Sequence, residues 1–153
     1  MDIKSKRKDS VQQQGEDGRG QLVRENNSNQ LHDILVAVYG TLKRGCGNNL
    51  LLHDSVFISE GKTKENYPLV IGGSGLPFLA KQKGVGKNVE VEVYLVDERT
   101  LSSLDMLEGH PRWYKREKID VVCTDGTTLT PWVYLAPEEY YKEGDETFES
   151  FLG

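Results

Sequence analysis

The chain has 153 residues, 37% of them hydrophobic, and a formal net charge of −5 at pH 7. This length is enough for one ordinary domain, and the charge excludes the basic surface that nucleic acids and anionic membranes select. The two cysteines are too few for a disulfide-stapled scaffold, and they favour a reducing compartment. We therefore expect a cytoplasmic protein without nucleic-acid or membrane partners.

Residues 1–30 differ in composition from the rest of the chain. They are rich in Gln, Asn, Ser, Gly and charged residues, and cannot bury enough surface to offset the entropy of ordering. The basic residues near the N-terminus lack the apolar stretch of a secretion signal. We predict a disordered extension over residues 1–30 and one domain over residues 31–153.

Short strands and glycine-rich turns are predicted for the first half of the domain. Residues 34–39 are continuously apolar, which is typical of a strand buried on both faces, and the run ends at Gly40. It is far shorter than the roughly 20 residues that span a bilayer. Further strands are predicted over residues 56–58, 67–71 and 76–79, with a helical turn at 50–52 and a glycine-rich turn at 72–75.

The second half contains the most regular strand and the main helix. Residues 89–96 alternate between apolar and polar side chains, which predicts a strand with one face in solvent. Asp97 can then cap a helix that ends at Gly109. Its apolar positions recur every three residues, at Leu101, Leu104 and Leu107.

Two more strands and a hairpin complete the predicted fold. Residues 114–122 and 129–135 flank the strong hairpin turn Asp125-Gly126, and residues 138–142 favour a short helix. Many short strands around one or two short helices indicate an α+β domain with a strongly curved mixed sheet or a small barrel.

The first candidate site is the loop after the buried strand, Tyr-Gly-Thr-Leu-Lys-Arg-Gly at residues 39–45. Backbone N–H groups in such a turn can point at one anion. It is not a nucleotide phosphate loop, because Gly45 precedes Cys46 where that motif needs Lys followed by Ser or Thr. The simpler interpretation is a tight strand exit with solvated Lys43 and Arg44.

The second candidate is Glu108, at the predicted C-terminal end of the helix. A carboxylate there faces the negative end of the helix dipole, which raises its proton affinity and suits a general base. The simpler interpretation is a solvated glutamate beside a cap. Tyr114 and Tyr134 can each offer a hydroxyl to a ligand, although packing is the commoner role of an aromatic residue.

Other chemistries are not indicated. His32, His53 and His110 are scattered without the spacing of a metal site, and the serines lack a Gly-x-Ser-x-Gly elbow. Neither Cys46 nor Cys123 has a CxxC partner or a nucleophile signature. We therefore predict neither a metal nor a covalent intermediate.

Both candidates belong to a series of four segments with a characteristic order and spacing. They are the loop at residues 38–45, Tyr-Pro-Leu-Val at 67–70, Glu-Val-Tyr at 92–94, and Leu-Asp-x-x-Glu-Gly-x-Pro-x-x-Tyr-x-Arg at 104–116. Together they resemble the gamma-glutamyl cyclotransferase-like superfamily, and most closely its gamma-glutamylamine cyclotransferase branch. The resemblance covers residues 34–135 and implies a compact mixed β-barrel with short flanking helices.

The resemblance also implies a function. The backbone of Tyr39, Gly40, Thr41 and Leu42 would line the pocket for a glutamyl group, and Glu108 would be the catalytic carboxylate. In the implied reaction the α-amine of a gamma-glutamyl amide attacks the γ-carbonyl of the same molecule, which closes 5-oxoproline and releases an amine. Glu108 takes a proton from the ammonium and returns one to the leaving nitrogen. The loop N–H groups bind either the α-carboxylate or the developing oxyanion, and no cofactor is required.

The leaving group and the alternatives stay open at this point. The Glu- and Tyr-rich segment after Tyr134 differs from the tail of vertebrate gamma-glutamylamine enzymes. The small-molecule substrate is therefore epsilon-(gamma-glutamyl)-lysine, another gamma-glutamylamine or a gamma-glutamyl amino acid. Alternatives are the same chemistry on another gamma-glutamyl amide or an aminoacylated natural product, and a non-catalytic small-molecule binding module of the same fold. We expect a monomer.

Overall fold

The computed structural model describes residues 32–152, and every structural statement below concerns that part of the chain. The extension predicted over residues 1–30 lies outside the described residues. Within the described part, no helix combines the length and the apolar character needed to cross a membrane.

Nine strands in two sheets form the framework of the described domain. The strands are β1 (Ile34–Val38), β2 (Val56–Thr63), β3 (Leu69–Ile71), β4 (Pro77–Leu79), β5 (Glu90–Val96), β6 (Lys115–Lys118), β7 (Val121–Cys123), β8 (Thr128–Leu129) and β9 (Trp132–Leu135). Seven of them form one sheet in the order β6-β9-β1-β5-β2-β7-β8, and β3 pairs with β4. β1 and β9 run parallel, whereas β1 and β5 run antiparallel. The curled mixed sheet confirms the predicted α+β class and compact barrel-like architecture.

The helix α1 (Glu98–Glu108) begins and ends where the sequence predicts. The Asp97 side chain accepts a hydrogen bond from the Thr100 N–H at 2.7 Å, which satisfies one of the free donors of the first turn. Gly109 follows with φ of 69°, a left-handed conformation that glycine adopts without a Cβ penalty. Glu108 is therefore the last residue of the helix.

Both faces of the large sheet are buried beneath separate hydrophobic clusters. In β1, Val36 and Val38 pack into the cluster that contains Leu104 of α1. Ala37 and Tyr39 pack into the opposite cluster, which includes the β3 and β4 pair. Successive side chains of a strand point to opposite faces, so this arrangement confirms the predicted two-sided burial of β1. Residue 39 lies just beyond the strand, which ends at Val38.

The prediction that β5 has one face in solvent is wrong. Glu92 is only 8% exposed, and its Oε1 accepts hydrogen bonds from the Arg44 N–H at 2.8 Å and the Tyr94 hydroxyl at 3.1 Å. A buried carboxylate is tolerated where it has such partners. The alternation of Glu and Val therefore marks a buried polar contact at this position.

Several predicted boundaries also differ from the structure. The segments at 114–122 and 129–135 each contain two strands, so that β6 pairs with β9 while β7 pairs with β2 and β8. Pro131, which has no N–H to donate to a ladder, separates β8 from β9. The hairpin at residues 125–126 is confirmed between β7 and β8. The helical segments at 50–52 and 138–142 are short 3-10 turns, Asn49–Leu52 and Glu138–Tyr140.

Candidate functional site

A cavity of about 350 Å³ lies between the C-terminal end of β1, the C-terminal end of α1 and the start of β4. All the site residues proposed from the sequence line this one cavity, although they come from distant parts of the chain. They are Tyr39, Gly40, Thr41, Leu42, Glu108, Tyr114 and Tyr134.

The loop after β1 is held in shape by Asn48 and by a close approach to Pro77. Asn48 donates twice to Thr41, from its Nδ2 to the hydroxyl at 2.9 Å and from its N–H to the carbonyl at 2.8 Å. A Cβ on Gly40 would lie 2.7 Å from Pro77 Cγ. Any residue larger than glycine would therefore clash with Pro77 unless the loop or the proline moved. Among residues 32–152, the N–H groups of Thr41 and Leu42 have no acceptor. Both residues line the cavity, so these N–H groups are the candidates for binding an anion there.

Glu108 is the one charged side chain among the described residues that line the cavity. Its burial raises the pKa of the carboxyl from 4.5 to about 7, because the charged form loses hydration there. The sequence predicts the same direction but assigns it to the helix dipole, whereas the structure assigns it to desolvation. A carboxyl with this pKa can both accept and donate a proton near neutral pH.

Three tyrosines from distant parts of the chain lie near enough to this carboxyl for its charge to affect their pKa values. The Tyr39 hydroxyl donates to the Tyr134 carbonyl at 2.8 Å, and the Tyr134 hydroxyl donates to Asp105 Oδ1 at 2.6 Å. The Tyr114 hydroxyl lies 3.4 Å from the Pro77 carbonyl. Burial is the main cause that raises the pKa of each phenol. The phenols therefore remain neutral at physiological pH.

Asp105 links the last turn of α1 to the sheet. Its two carboxylate oxygens accept hydrogen bonds from the Arg116 guanidinium, at 2.8 and 3.2 Å, in addition to the one from Tyr134. Burial alone would raise the pKa of Asp105, but these hydrogen bonds outweigh burial and lower it. Since residues three apart on a helix are neighbours, this contact fixes the turn that carries Glu108.

Several residues that line the cavity were not predicted as site residues. Asn48, Ser74, Leu76, Pro77, Phe78, Leu107 and Trp113 also line it. Trp113 lies inside the block at 104–116, but its sequence position favours no ligand contact over packing, which is the commoner role of an aromatic residue. Residues 74–78 begin within the glycine-rich turn at 72–75 and extend into β4, and no local pattern in the sequence indicates that they approach the end of β1. The described residues contain no cluster of His, Cys, Asp and Glu that could hold a metal ion.

Comparison with known proteins places this arrangement in a family. Residues 36–150 match the family described as Gamma-glutamyl cyclotransferase, AIG2-like. An archaeal protein of Methanocaldococcus jannaschii is 38% identical over 104 residues, which are 67% of this chain and 84% of that protein.

Two vertebrate proteins are also similar to this chain. The human protein named gamma-glutamylaminecyclotransferase is 47% identical over 93 residues, which cover 57% of this chain and 61% of the human protein. The crystal structure of a mouse AIG2-like protein superposes with a TM-score of 0.72 at 33% identity, covering 79% of this chain and 89% of the mouse chain. The chain therefore belongs to the AIG2-like gamma-glutamyl cyclotransferase family and is a cyclotransferase enzyme.

Proposed function

We propose that the protein converts a gamma-glutamylamine, such as epsilon-(gamma-glutamyl)-lysine, to 5-oxoproline and the free amine, with Glu108 as general acid and base. The observation that carries this proposal is a single carboxyl with a pKa of about 7 in a cavity otherwise lined by uncharged residues. The name of the human relative supports a gamma-glutamylamine as the substrate.

The first step is removal of a proton from the substrate's α-ammonium. An α-amine has a pKa of about 8 and is mostly protonated at neutral pH, so it has no lone pair with which to attack. Transfer of this proton to Glu108 costs little, because one pK unit of mismatch corresponds to about 1.4 kcal/mol. Burial of Glu108 is thus what makes a carboxyl an adequate base for an amine.

Ring closure and release follow within one molecule. The amine nitrogen forms a bond to the γ-carbonyl carbon, and the carbonyl electron pair moves onto oxygen. When this intermediate collapses, the bond to the leaving nitrogen breaks, and Glu108 gives its proton to that nitrogen. The carboxylate of Glu108 then takes the second proton from the ring nitrogen, which leaves the neutral lactam, and passes it to the released amine or to solvent. The N–H groups of Thr41 and Leu42 are suited to an anion of the glutamyl group, either the α-carboxylate or the oxyanion.

The test is 5-oxoproline release from epsilon-(gamma-glutamyl)-lysine by the wild type and by Glu108→Gln. Glutamine has the shape of glutamate but cannot take up the proton, so we expect kcat to fall by about 10²–10⁴-fold with the fold intact. Glu98→Gln is the matched control, because Glu98 lies exposed in the first turn of the same helix. Near-normal turnover by Glu108→Gln, or none by the folded wild type, would contradict the proposal.

A further inference from the structure

The mouth of the cavity carries a group of apolar side chains that the proposed chemistry does not use. Trp113, Leu76 and Leu107 line the cavity and yet are 59%, 50% and 43% exposed. Tyr39 and Tyr134, on the inner walls, are only 7% and 3% exposed. Large apolar side chains left in solvent beside a pocket are a common sign of a binding surface.

Aromatic contacts hold this mouth in a fixed shape. The Phe78 ring stands edge-on to Tyr114, with centroids 6.1 Å apart, and to Tyr140, with centroids 5.2 Å apart. Trp113 Nε1 donates to the Tyr140 hydroxyl at 2.7 Å. We call Phe78, Trp113, Tyr114 and Tyr140 the aromatic rim. Because its rings brace one another, little side-chain freedom remains to be lost when a ligand binds there.

The direction in which a substrate would lie follows from the inner wall. The groups suited to the α-amine and to the anion of a glutamyl moiety are Glu108 and the N–H groups of Thr41 and Leu42. Leu42 is 4% exposed and Trp113 is 59% exposed, so a substrate whose glutamyl end lies at these groups has the substituent on its γ-nitrogen directed toward the exposed mouth. In that orientation the leaving amine is the part of the substrate that meets the aromatic rim.

We propose that the aromatic rim is a leaving-group subsite that favours gamma-glutamyl amides of aryl-bearing primary amines over those of short alkyl amines. The inference rests on the proposed function, since it concerns the other half of the same substrate. Trp113 is the specificity-determining residue, because it combines exposure at the mouth with a fixed orientation.

Two substrates that release the same 5-oxoproline test the effect of the aryl ring. They are gamma-glutamyl-phenethylamide and gamma-glutamyl-ethylamide, which differ only in the phenyl group. We expect kcat/KM for the phenethylamide to exceed that for the ethylamide by about tenfold or more, because only the former fills the rim.

Substitution of Trp113 tests whether the preference for the phenethylamide depends on the aromatic rim. Trp113→Ala is expected to bring the ratio of phenethylamide to ethylamide kcat/KM towards one, whereas Phe57→Ala is expected to preserve that ratio. Phe57 is also a partly exposed aromatic residue, but it packs on Arg44 and Tyr94 and does not line the cavity. An unchanged ratio in Trp113→Ala would overturn the inference.

Calorimetric binding of the same two compounds to the wild type distinguishes the two proposals. Absence of 5-oxoproline release from both compounds and from epsilon-(gamma-glutamyl)-lysine would overturn the proposed function. The subsite would then be judged by affinity alone, with tighter binding of the phenethylamide than of the ethylamide as the supporting result. Equal affinities, or equal kcat/KM values for the two amides, would overturn the subsite.

Discussion

At the scale of single residues, desolvation sets the proton affinity of Glu108. The carboxyl stands at a helix end, but burial is the cause that raises its pKa to about 7. The neighbouring carboxyl of Asp105 has its pKa lowered instead, because hydrogen bonds from Arg116 and Tyr134 outweigh its burial. Two acids one turn apart are thereby assigned different roles, one as a proton carrier and the other as a fixed anion.

This assignment predicts the pH dependence of catalysis. The reaction needs ionised Glu108 in the free enzyme and the protonated amine in the free substrate. We therefore expect kcat/KM to rise with pH through about 7 and to fall again above the amine pKa of about 8. Initial rates across pH 5 to 10 give the two limbs, and a flat profile between pH 5 and 7 would contradict the role of Glu108.

The sequence is informative about residues whose identity is itself the signal. Tyr39, Thr41 and Glu108 stand in recognisable motifs, and the structure brings them to one cavity. Phe78 and Leu76 could not be predicted as cavity residues, because their position depends on how the β3 and β4 pair packs against β1. The partners of Asp105 were missed for the same reason, since a hydrogen bond to Tyr134 spans 29 positions.

At the scale of elements, the cavity depends on how closely the loop after β1 approaches β4. Gly40 is buried, and its Cα hydrogen faces Pro77 at a distance that leaves no room for a methyl group. The loop N–H groups that suit an anion belong to the next two residues. A displacement of the loop therefore changes the binding site directly.

Gly40→Ala is expected to lower kcat/KM by about tenfold or more, because misplacing binding groups by an ångström carries a large kinetic cost. Gly47→Ala is the control, since a Cβ at Gly47 meets no atom within 4 Å. The assay is 5-oxoproline release, with thermal unfolding to verify folding. Equal activity of the two variants would show that the loop can move away from Pro77 without consequence.

The types of the secondary-structure elements were easier to predict from the sequence than the strands with which they pair. The cap at Asp97, the end of α1 at Gly109 and the hairpin at residues 125–126 all follow from local chemistry. The division of residues 114–122 into β6 and β7 does not follow from local chemistry. It arises because β6 pairs with β9 at one end of the strand order, whereas β7 pairs with β2 near the other end. The solvent-exposed face predicted for β5 was wrong for a similar reason, since Arg44, which donates to Glu92, lies 48 positions away in the chain.

At the scale of the whole molecule, the buried carboxyl of Glu108 lowers the free energy of unfolding at a pH where it is ionised. The pKa of Glu108 is higher in the folded state than its ordinary value, so the folded protein holds a proton between pH 4.5 and 7 that the unfolded chain has released. The stabilising contribution of this proton to the free energy of unfolding is complete below pH 4.5 and is lost as the pH rises through about 7.

Glu108→Gln should therefore be more stable than the wild type at alkaline pH. The side chain of the variant has no charge to bury, so its advantage grows between pH 4.5 and 8 to at most about 3 kcal/mol, since each pK unit corresponds to ~1.4 kcal/mol. Urea unfolding at pH 4.5, 6 and 8 measures the difference. A difference that does not change with pH would contradict the raised pKa.

The parallel pairing of β1 with β9 has a consequence for the order of events during synthesis. The Tyr39 hydroxyl reaches the Tyr134 carbonyl across 95 positions of sequence, and contacts of such separation form late because a long loop must first be closed. A ribosome-bound chain that has not yet extruded β9 lacks one wall of the cavity. We therefore expect a nascent chain to become catalytically active in a single step, when synthesis of the domain is nearly complete and β9 has left the ribosome.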